Sequence, residues 1–290
     1  MKITNEQGLP QPLIDAVNDN TWEQPENVIR VTQLLKGVRE TVLERRHDDE
    51  LSQDVSDMVW LIFGTAVHSI AEQGKETRYQ VKETRMSERV HDSIVSGQFD
   101  LYDAKQERVI DYKTCSAWKL IYRDFDDWRR QTLIYCWLLR RAGFKANSGE
   151  IVAFIKDHSK SKARQDRDYP RRPVERIVFQ FYEKDFGDIE AFIFDRVKQI
   201  EIAQELPDDE LPLCTKDERW TRDEKWAVMG TSSKKALRLL DSEYEAKAWI
   251  KQNQHRKPKR IEYRPGIDVK CEDYCSAAPF CTYWKENYKK

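Results

Sequence analysis

Apolar residues recur at helical spacing through Val55, Val59, Ile62, Ala66 and Ile70, which predicts a helix capped by Asp54 or Ser56. A charged helix is expected before it, around Val31–Arg46, behind an irregular entry. The period then changes to alternation. Within residues 78–114, the segments RYQVKETRM, SIVSGQFDLY and ERVIDYKT read as consecutive antiparallel strands, broken at Met86–Ser87 and around Asp103–Gln106. A second strong helix is predicted from about Asp126 to Arg141. EIVAFIKD and VERIVFQFY read as strands flanking a polar stretch from His158 to Pro173, and Phe186–Glu205 reads as a third helix.

Helix, strands, helix, strands, helix is the order of an α/β chain, with an α+β mixed sheet flanked by helices. After Leu206-Pro-Asp-Asp the character changes. KWAVM and ALRLL suggest a hairpin, SEYEAKAWIKQN an amphipathic helix and RIEYRPG a last strand. The expected division is an N-terminal helical or irregular segment (1–50), a core (51–210) and a small α/β appendage (211–290).

Length and composition narrow the function classes. At 290 residues and 39% hydrophobic, the chain can fill a core. Its 50 Lys+Arg nearly cancel its 51 Asp+Glu, so any nucleic-acid binding must come from local patches and not from a global field. No apolar run approaches the roughly 18 residues of a membrane span, and MKITNEQGLPQPL does not resemble a signal peptide. A soluble, cytoplasmic protein with no membrane partner is expected.

Candidate chemistry gathers on two strands and a helix. In Asp111-Tyr112-Lys113 the carboxylate and the ammonium are two apart on a strand and share a face. In the preceding strand Asp100 alternates with Phe99 and Leu101, which puts it on a polar face, and a short turn makes Asp100 and Asp111 candidate cross-strand neighbours. Two such carboxylates repel unless a hard cation joins them, and Mg²⁺ or Mn²⁺ is held in this way. Gly64, His68 and Glu72 lie one turn apart on one helix face, Glu72 being a further candidate ligand.

Gly-Thr-Ala-Val-His68, Gly97-Gln-Phe-Asp100, Asp111-Tyr-Lys113 and Gln131-Thr-Leu-Ile-Tyr135 occur in the order and approximate spacing of RecB-type PD-(D/E)XK nucleases. The resemblance spans residues 55–140. It implies a restriction-endonuclease-like core and a metal held by His68, Asp100, Asp111 and the Tyr112 backbone carbonyl. It also implies that Lys113 activates water and that Gln131 and Tyr135 support the site or DNA. The implied function is a Mg²⁺- or Mn²⁺-dependent DNA nuclease, an exonuclease of phage-type recombination or DNA processing in a bacterium or phage-infected host. A homo-oligomer and a recombination or helicase partner are open. The alternative is a DNA-binding or recombination-partner protein that keeps the fold without catalysis.

Lys160, Lys162, Arg164, Arg167, Arg171, Arg172 and Arg176 give the polar stretch a positive excess and suggest a mobile loop on phosphate, or a solvated hairpin tip. Lys119, Arg123, Arg129 and Arg130, flanking the Gln131 helix, are a second candidate contact. Near the far end, Cys271-x3-Cys275-x5-Cys281 has metal-ligand spacing but lacks the fourth ligand that Zn²⁺ or a [4Fe–4S] cluster needs. The trio is similar to that of iron–sulfur RecB-type nucleases, which implies [4Fe–4S] with Zn²⁺ as alternative. It departs from their usual C-x2-C-x5-C, and no cysteine precedes Cys115, so Cys214 is the candidate fourth ligand. Cys115 and Cys136 read as buried thiols.

Overall fold

The computed structural model describes residues 1–18, 25–231 and 235–289 and divides into two compact units, Met1–Leu206 and Pro207–Lys290. Part of the irregular entry, residues 19–24, lies outside the described residues.

In the first unit, β1 (Lys2–Thr4), α1 (Gln11–Asn18), β2 (Val28–Arg30), α2 (Val31–Leu34) and α3 (Val38–Arg46) precede β3 (Ser52–Asp54). The charged helix predicted over Val31–Arg46 is two helices, because Gly37 adopts an extended conformation (ψ 146°) and restarts the chain as the N-cap of α3. Arg46 at the end of α3 donates to the Gln204 carbonyl at 2.7 Å. Asp54 accepts from the Ser56 N–H at 3.0 Å and opens a 3-10 turn that runs into α4 (Val59–Glu72).

The sheet follows as β4 (Gln80–Val90), β5 (Ser93–Asp103) and β6 (Arg108–Cys115), then α5 (Ala117–Ile121), α6 (Asp126–Arg141), β7 (Ser148–Ile155), α7 (Lys160–Gln165), β8 (Val174–Gln180) and α8 (Glu183–Gln204). Strand order is β2-β5-β6-β7-β8, with β4 on β5. β6–β7 and β2–β5 are parallel and the other pairs antiparallel, which makes a mixed sheet flanked by helices. The break expected at Met86–Ser87 is absent. β4 continues to Val90, and the hairpin turns at His91–Asp92, where His91 takes φ 52°.

One edge of β5 is shared. β2 occupies Ile94–Ser96 and β6 occupies Leu101–Asp103, so Gly97–Asp100 faces a gap between them. The β5–β6 ladder ends at Leu101↔Ile110, and beyond it β6 instead follows β7 through Cys115↔Ile155. That divergence makes the cleft described below. Behind it α6 buries Leu133, Ile134, Cys136, Trp137, Leu138 and Leu139, and α8 buries Ile193, Val197 and Ile200. Truncating a fully buried side chain such as Ile134 to Ala costs about 2–5 kcal/mol.

In the second unit, β9 (Thr221–Arg222), β10 (Lys225–Gly230), β11 (Ala236–Leu240), α9 (Glu243–Gln252), β12 (Pro258–Arg264), β13 (Ile267–Asp268), α10 (Val269–Asp273) and α11 (Thr282–Asn287) follow in order. β10 pairs antiparallel with β11 and β12, which gives the expected hairpin and last strand, and α9 packs its fully buried Ala246 beside them. β9 and β13 form a separate antiparallel pair. Among the described residues no helix is long and apolar enough to cross a membrane.

Candidate active site

α4 carries His68 toward the gap in β5. Its Nδ1 lies 3.2 Å from Asp100 Oδ1, and its ring meets the Tyr112 ring edge-on at 6.2 Å. The hydrogen bond with Asp100 raises the His68 pKa, and the Asp100 and Asp111 charges add to it against partial burial. Glu72, one turn further on, is exposed and stands outside the ligand group.

Asp100 sits where the β5–β6 ladder ends. Its Oδ2 accepts the Tyr112 N–H at 2.6 Å, so a side chain takes the hydrogen bond that a continued ladder would have used. Across the cleft, Asp111 is 2% exposed, and Lys113 Nζ lies 2.8 Å from its Oδ2. The contact is an ion pair outside hydrogen-bond geometry, which leaves the buried Oδ2 without a hydrogen-bond donor. Burial raises the Asp111 pKa, the Lys113 charge pulls against it, and Asp100 adds to it. Burial acts to lower the Lys113 pKa, but Asp111 outweighs it and the net shift is upward. One ammonium therefore leaves two buried carboxylates short of positive charge.

Glu83 joins them, unpredicted. The pairs Lys82↔Leu101 and Thr84↔Phe99 place it opposite Asp100, with φ 44°. Ligand atoms of His68, Glu83 and Asp100 lie within 4.8 Å of one another, the one such group among the described residues. Burial raises the Glu83 pKa, the Gln98 amide (2.9 Å) opposes the rise, and Asp100 supports it. The signal that identifies Glu83 is hairpin register. A turn at His91–Asp92 mirrors residue 83 onto residue 100, whereas a break at Met86–Ser87 removes that mirror.

The donors fit a small hard cation. One imidazole, carboxylate oxygens and an orphaned buried oxygen suit Mg²⁺ or Mn²⁺. His68 and Asp100 belong to this group together with Glu83. Asp111 is not one of the three and pairs with Lys113, with Tyr112 between the two in sequence on β6.

Behind the cleft, Gln131 Nε2 donates to the Tyr135 hydroxyl at 2.9 Å. Tyr135 is 5% exposed, and burial, with the Asp111 charge, pushes its hydroxyl up to about 12. Gly97 explains its own place in the motif. A Cβ there would lie 2.7 Å from Tyr135 Cε1 and 2.6 Å from Val31 Cγ2, so only a glycine lets the tyrosine pack on β5.

The polar stretch is built and not loose. Ser159 caps α7, and the buried Tyr169 packs with Cys115, Trp128 and Ile155. Lys160, Lys162 and Arg164 stay exposed. Lys119 is occupied by Asp127 at 2.8 Å, and Arg129 by Asp185 at 2.6 Å.

None of the six cysteines is in a disulfide. Cys115 and Cys136 are buried, and burial holds both thiols high, Cys115 at about 11. Cys214, Cys271, Cys275 and Cys281 are half-buried in the second unit. Burial, then Asp268, Cys214 and Cys281, push the Cys271 thiol up to about 11, which places three of the four within electrostatic reach. Asp268, 4% exposed, accepts from Thr221 Oγ1 at 2.5 Å and from the Tyr283 hydroxyl at 2.6 Å, with Arg219 Nε at 3.4 Å. This knot ties together the segments that carry Cys214, Cys271 and Cys281.

A family model described as the PD-(D/E)XK nuclease superfamily matches residues 12–282. Among solved structures, SSO0001 is 18% identical over 64% of this chain and 83% of its own, with a TM-score of 0.47. A phage-related exonuclease from Haemophilus somnus 129PT is 13% identical over 66% and 79%, with a TM-score of 0.28. No curated protein matches the chain.

Proposed function

The chain belongs to the PD-(D/E)XK nuclease superfamily, and we propose that it is a Mg²⁺- or Mn²⁺-dependent deoxyribonuclease, acting as an exonuclease in phage-type recombination or DNA processing in the cytoplasm. The observation that carries this reading is the convergence of His68, Glu83 and Asp100 near the buried Asp111 and its partner Lys113, in the cleft where β5 and β6 part.

His68, Asp100 and Asp111, with Glu83 and the Tyr112 carbonyl, are the residues that would hold the cation. When bound, such a cation polarises the scissile phosphate and lowers the pKa of a bound water. Lys113, kept protonated by Asp111, orients the attacking water and offsets charge that grows on the phosphate oxygens. Asp111 fixes the ammonium, and Tyr135, braced by Gln131, closes the cleft behind it. Exposed Lys160, Lys162 and Arg164 supply phosphate contacts of low sequence selectivity.

Cys214, Cys271, Cys275 and Cys281 are proposed to hold a [4Fe–4S] cluster, with Zn²⁺ as the alternative. The half-burial of all four and the electrostatic reach of Cys214 and Cys281 to Cys271 support a site. The role is structural, closing residues 214–281 around the small sheet.

The test is digestion of end-labelled linear and closed circular DNA with Mg²⁺ or Mn²⁺ by protein purified without air. Loss of linear but not circular DNA, dependent on metal and abolished in Lys113→Ala, is the expected result. Wild type that binds DNA but cleaves none under any metal overturns the enzyme and leaves a DNA-binding partner protein.

A further inference from the structure

α4 is apolar on most of its surface, yet none of its residues is buried. Trp60 and Phe63 are 53% and 52% exposed, with ring centroids 5.7 Å apart. His68 lies two turns further along the same helix, about 12 Å from Trp60 at the α-helical rise. Gly64 stands between them, and a Cβ there would meet nothing within 4 Å, so the floor between the rings and the cleft is open. Lys156 holds its ammonium over the Trp60 ring, 3.4 Å from its centroid. Its backbone N–H bonds the Cys115 carbonyl, which fixes this lysine to the end of the strand that carries Lys113. A few residues on, α7 adds exposed Lys160, Lys162 and Arg164.

Exposed rings beside cations, on the approach to a phosphodiester site, match one occupant. A protein partner would bury the apolar rings but would gain nothing from a lysine held on a ring face. A duplex keeps its bases stacked on each other and offers the rings nothing. An unpaired strand offers both a base face for stacking and a phosphate for the ammonium. We propose that Trp60 and Phe63 form a stacking step for the bases of single-stranded DNA, with Lys156 on the adjoining backbone, and that this step leads an unpaired strand over Gly64 to the His68–Asp100 cleft. The proposal rests on the nuclease reading and specifies its substrate as a single strand or a frayed end.

Binding is measured in EDTA, so that cleavage plays no part, by fluorescence anisotropy of a labelled oligothymidylate and of a duplex of equal length. Trp60→Ala/Phe63→Ala is expected to weaken the single strand by about tenfold or more, since each stacked base is lost separately, and to change duplex binding by less than about twofold. In the wild type, 5-iododeoxyuridine in the oligonucleotide is expected to crosslink to Trp60 or Phe63. Equal losses for both forms of DNA, unchanged affinity, no single-strand binding by the wild type, or crosslinks only outside α4 each overturn the step. A wild type that crosslinks through α4 yet cleaves no DNA with any metal overturns the nuclease and leaves the step standing. Cleavage with no α4 crosslink does the reverse.

Discussion

His68 Nδ1 and Asp100 Oδ1, 3.2 Å apart, tie the helix before the sheet to the gap in β5, and a proton or a cation can occupy the place between them. The His68 pKa is raised, chiefly by that contact. In metal-free protein the pair therefore stabilises fully below about pH 6.5, and the stabilisation is lost as pH rises through the higher folded value. A metal ion needs the neutral imidazole, so its affinity gains over the same window. Thermal melts from pH 6 to 8 should show the metal-free wild type losing its advantage over His68→Gln as pH rises, while the shift caused by Mn²⁺ grows. A Mn²⁺ shift independent of pH would remove His68 from the ligand set.

Lys113 and Asp111 support each other in a buried cleft. Removing the ammonium leaves Asp111 buried with an uncompensated charge, which costs about 3–5 kcal/mol when a buried pair is broken from one side. Lys113→Met should thus lower the metal-free melting temperature as well as abolish cleavage. Asp111→Asn/Lys113→Met should recover much of the stability and none of the activity. A single mutant as stable as wild type would show that the pair is solvated.

Glu83→Gln keeps the shape and removes a charge from the ligand group. Mn²⁺ affinity, read by calorimetry, should fall by about tenfold or more, as for other changes around metal ligands. Glu83→Gly relieves the φ of 44° and should weaken metal at least as much, since backbone comfort does not replace a carboxylate. Unchanged affinity in both would make Glu83 a partner of Gln98 only.

How much of this was legible follows the range of each contact. Asp111 and Lys113 are two apart on one strand, so the pleat alone places them together. Asp100 followed from alternation within the preceding strand. Glu83 did not, because its relation to Asp100 depends on where the hairpin turns, which alternation along the strands does not fix. The stripe of α4 was visible as periodicity, but periodicity shows that an apolar face exists and not that anything covers it, and Val59 and Ile70 remain exposed. The division of residues 31–46 at Gly37 depends on one extended backbone angle, which a charged run conceals. Arg219, just before β9, meets Asp268 of β13 because β9 and β13 pair, and two-residue strands are too short to carry a pattern.

Gly97→Ala tests why the glycine precedes Asp100 by three residues. The added methyl would meet Tyr135 and Val31 well inside contact distance, and both are buried. Overpacking of this kind costs about 1–3 kcal/mol. Displacing Tyr135 should also release the Gln131 hydrogen bond and loosen Lys113, so cleavage should fall more than stability accounts for. Tyr135→Phe, which keeps the ring against Gly97 but removes the hydroxyl that accepts from Gln131, should cost about 1–3 kcal/mol and still lower cleavage. Unchanged cleavage would reduce Tyr135 to packing.

Asp268 gives the sharpest test of the second unit, because it joins three cysteine-bearing segments through Thr221, Tyr283 and Arg219 without being a ligand. Asp268→Asn keeps the size but loses the charge facing Arg219 and leaves its amide to find new acceptors in a buried position, a cost of about 1–3 kcal/mol. If the knot gathers the thiols before any metal arrives, this variant should purify with less iron or zinc per chain than wild type. Cys271→Ser and Cys281→Ser should lose the metal entirely. Tyr283→Phe should sit between, since it removes one hydrogen bond and no charge. Because the first unit carries the whole cleft, DNA cleavage per folded molecule should survive Asp268→Asn better than metal content does. Full metal content in Asp268→Asn would show that the thiols gather around their metal unaided.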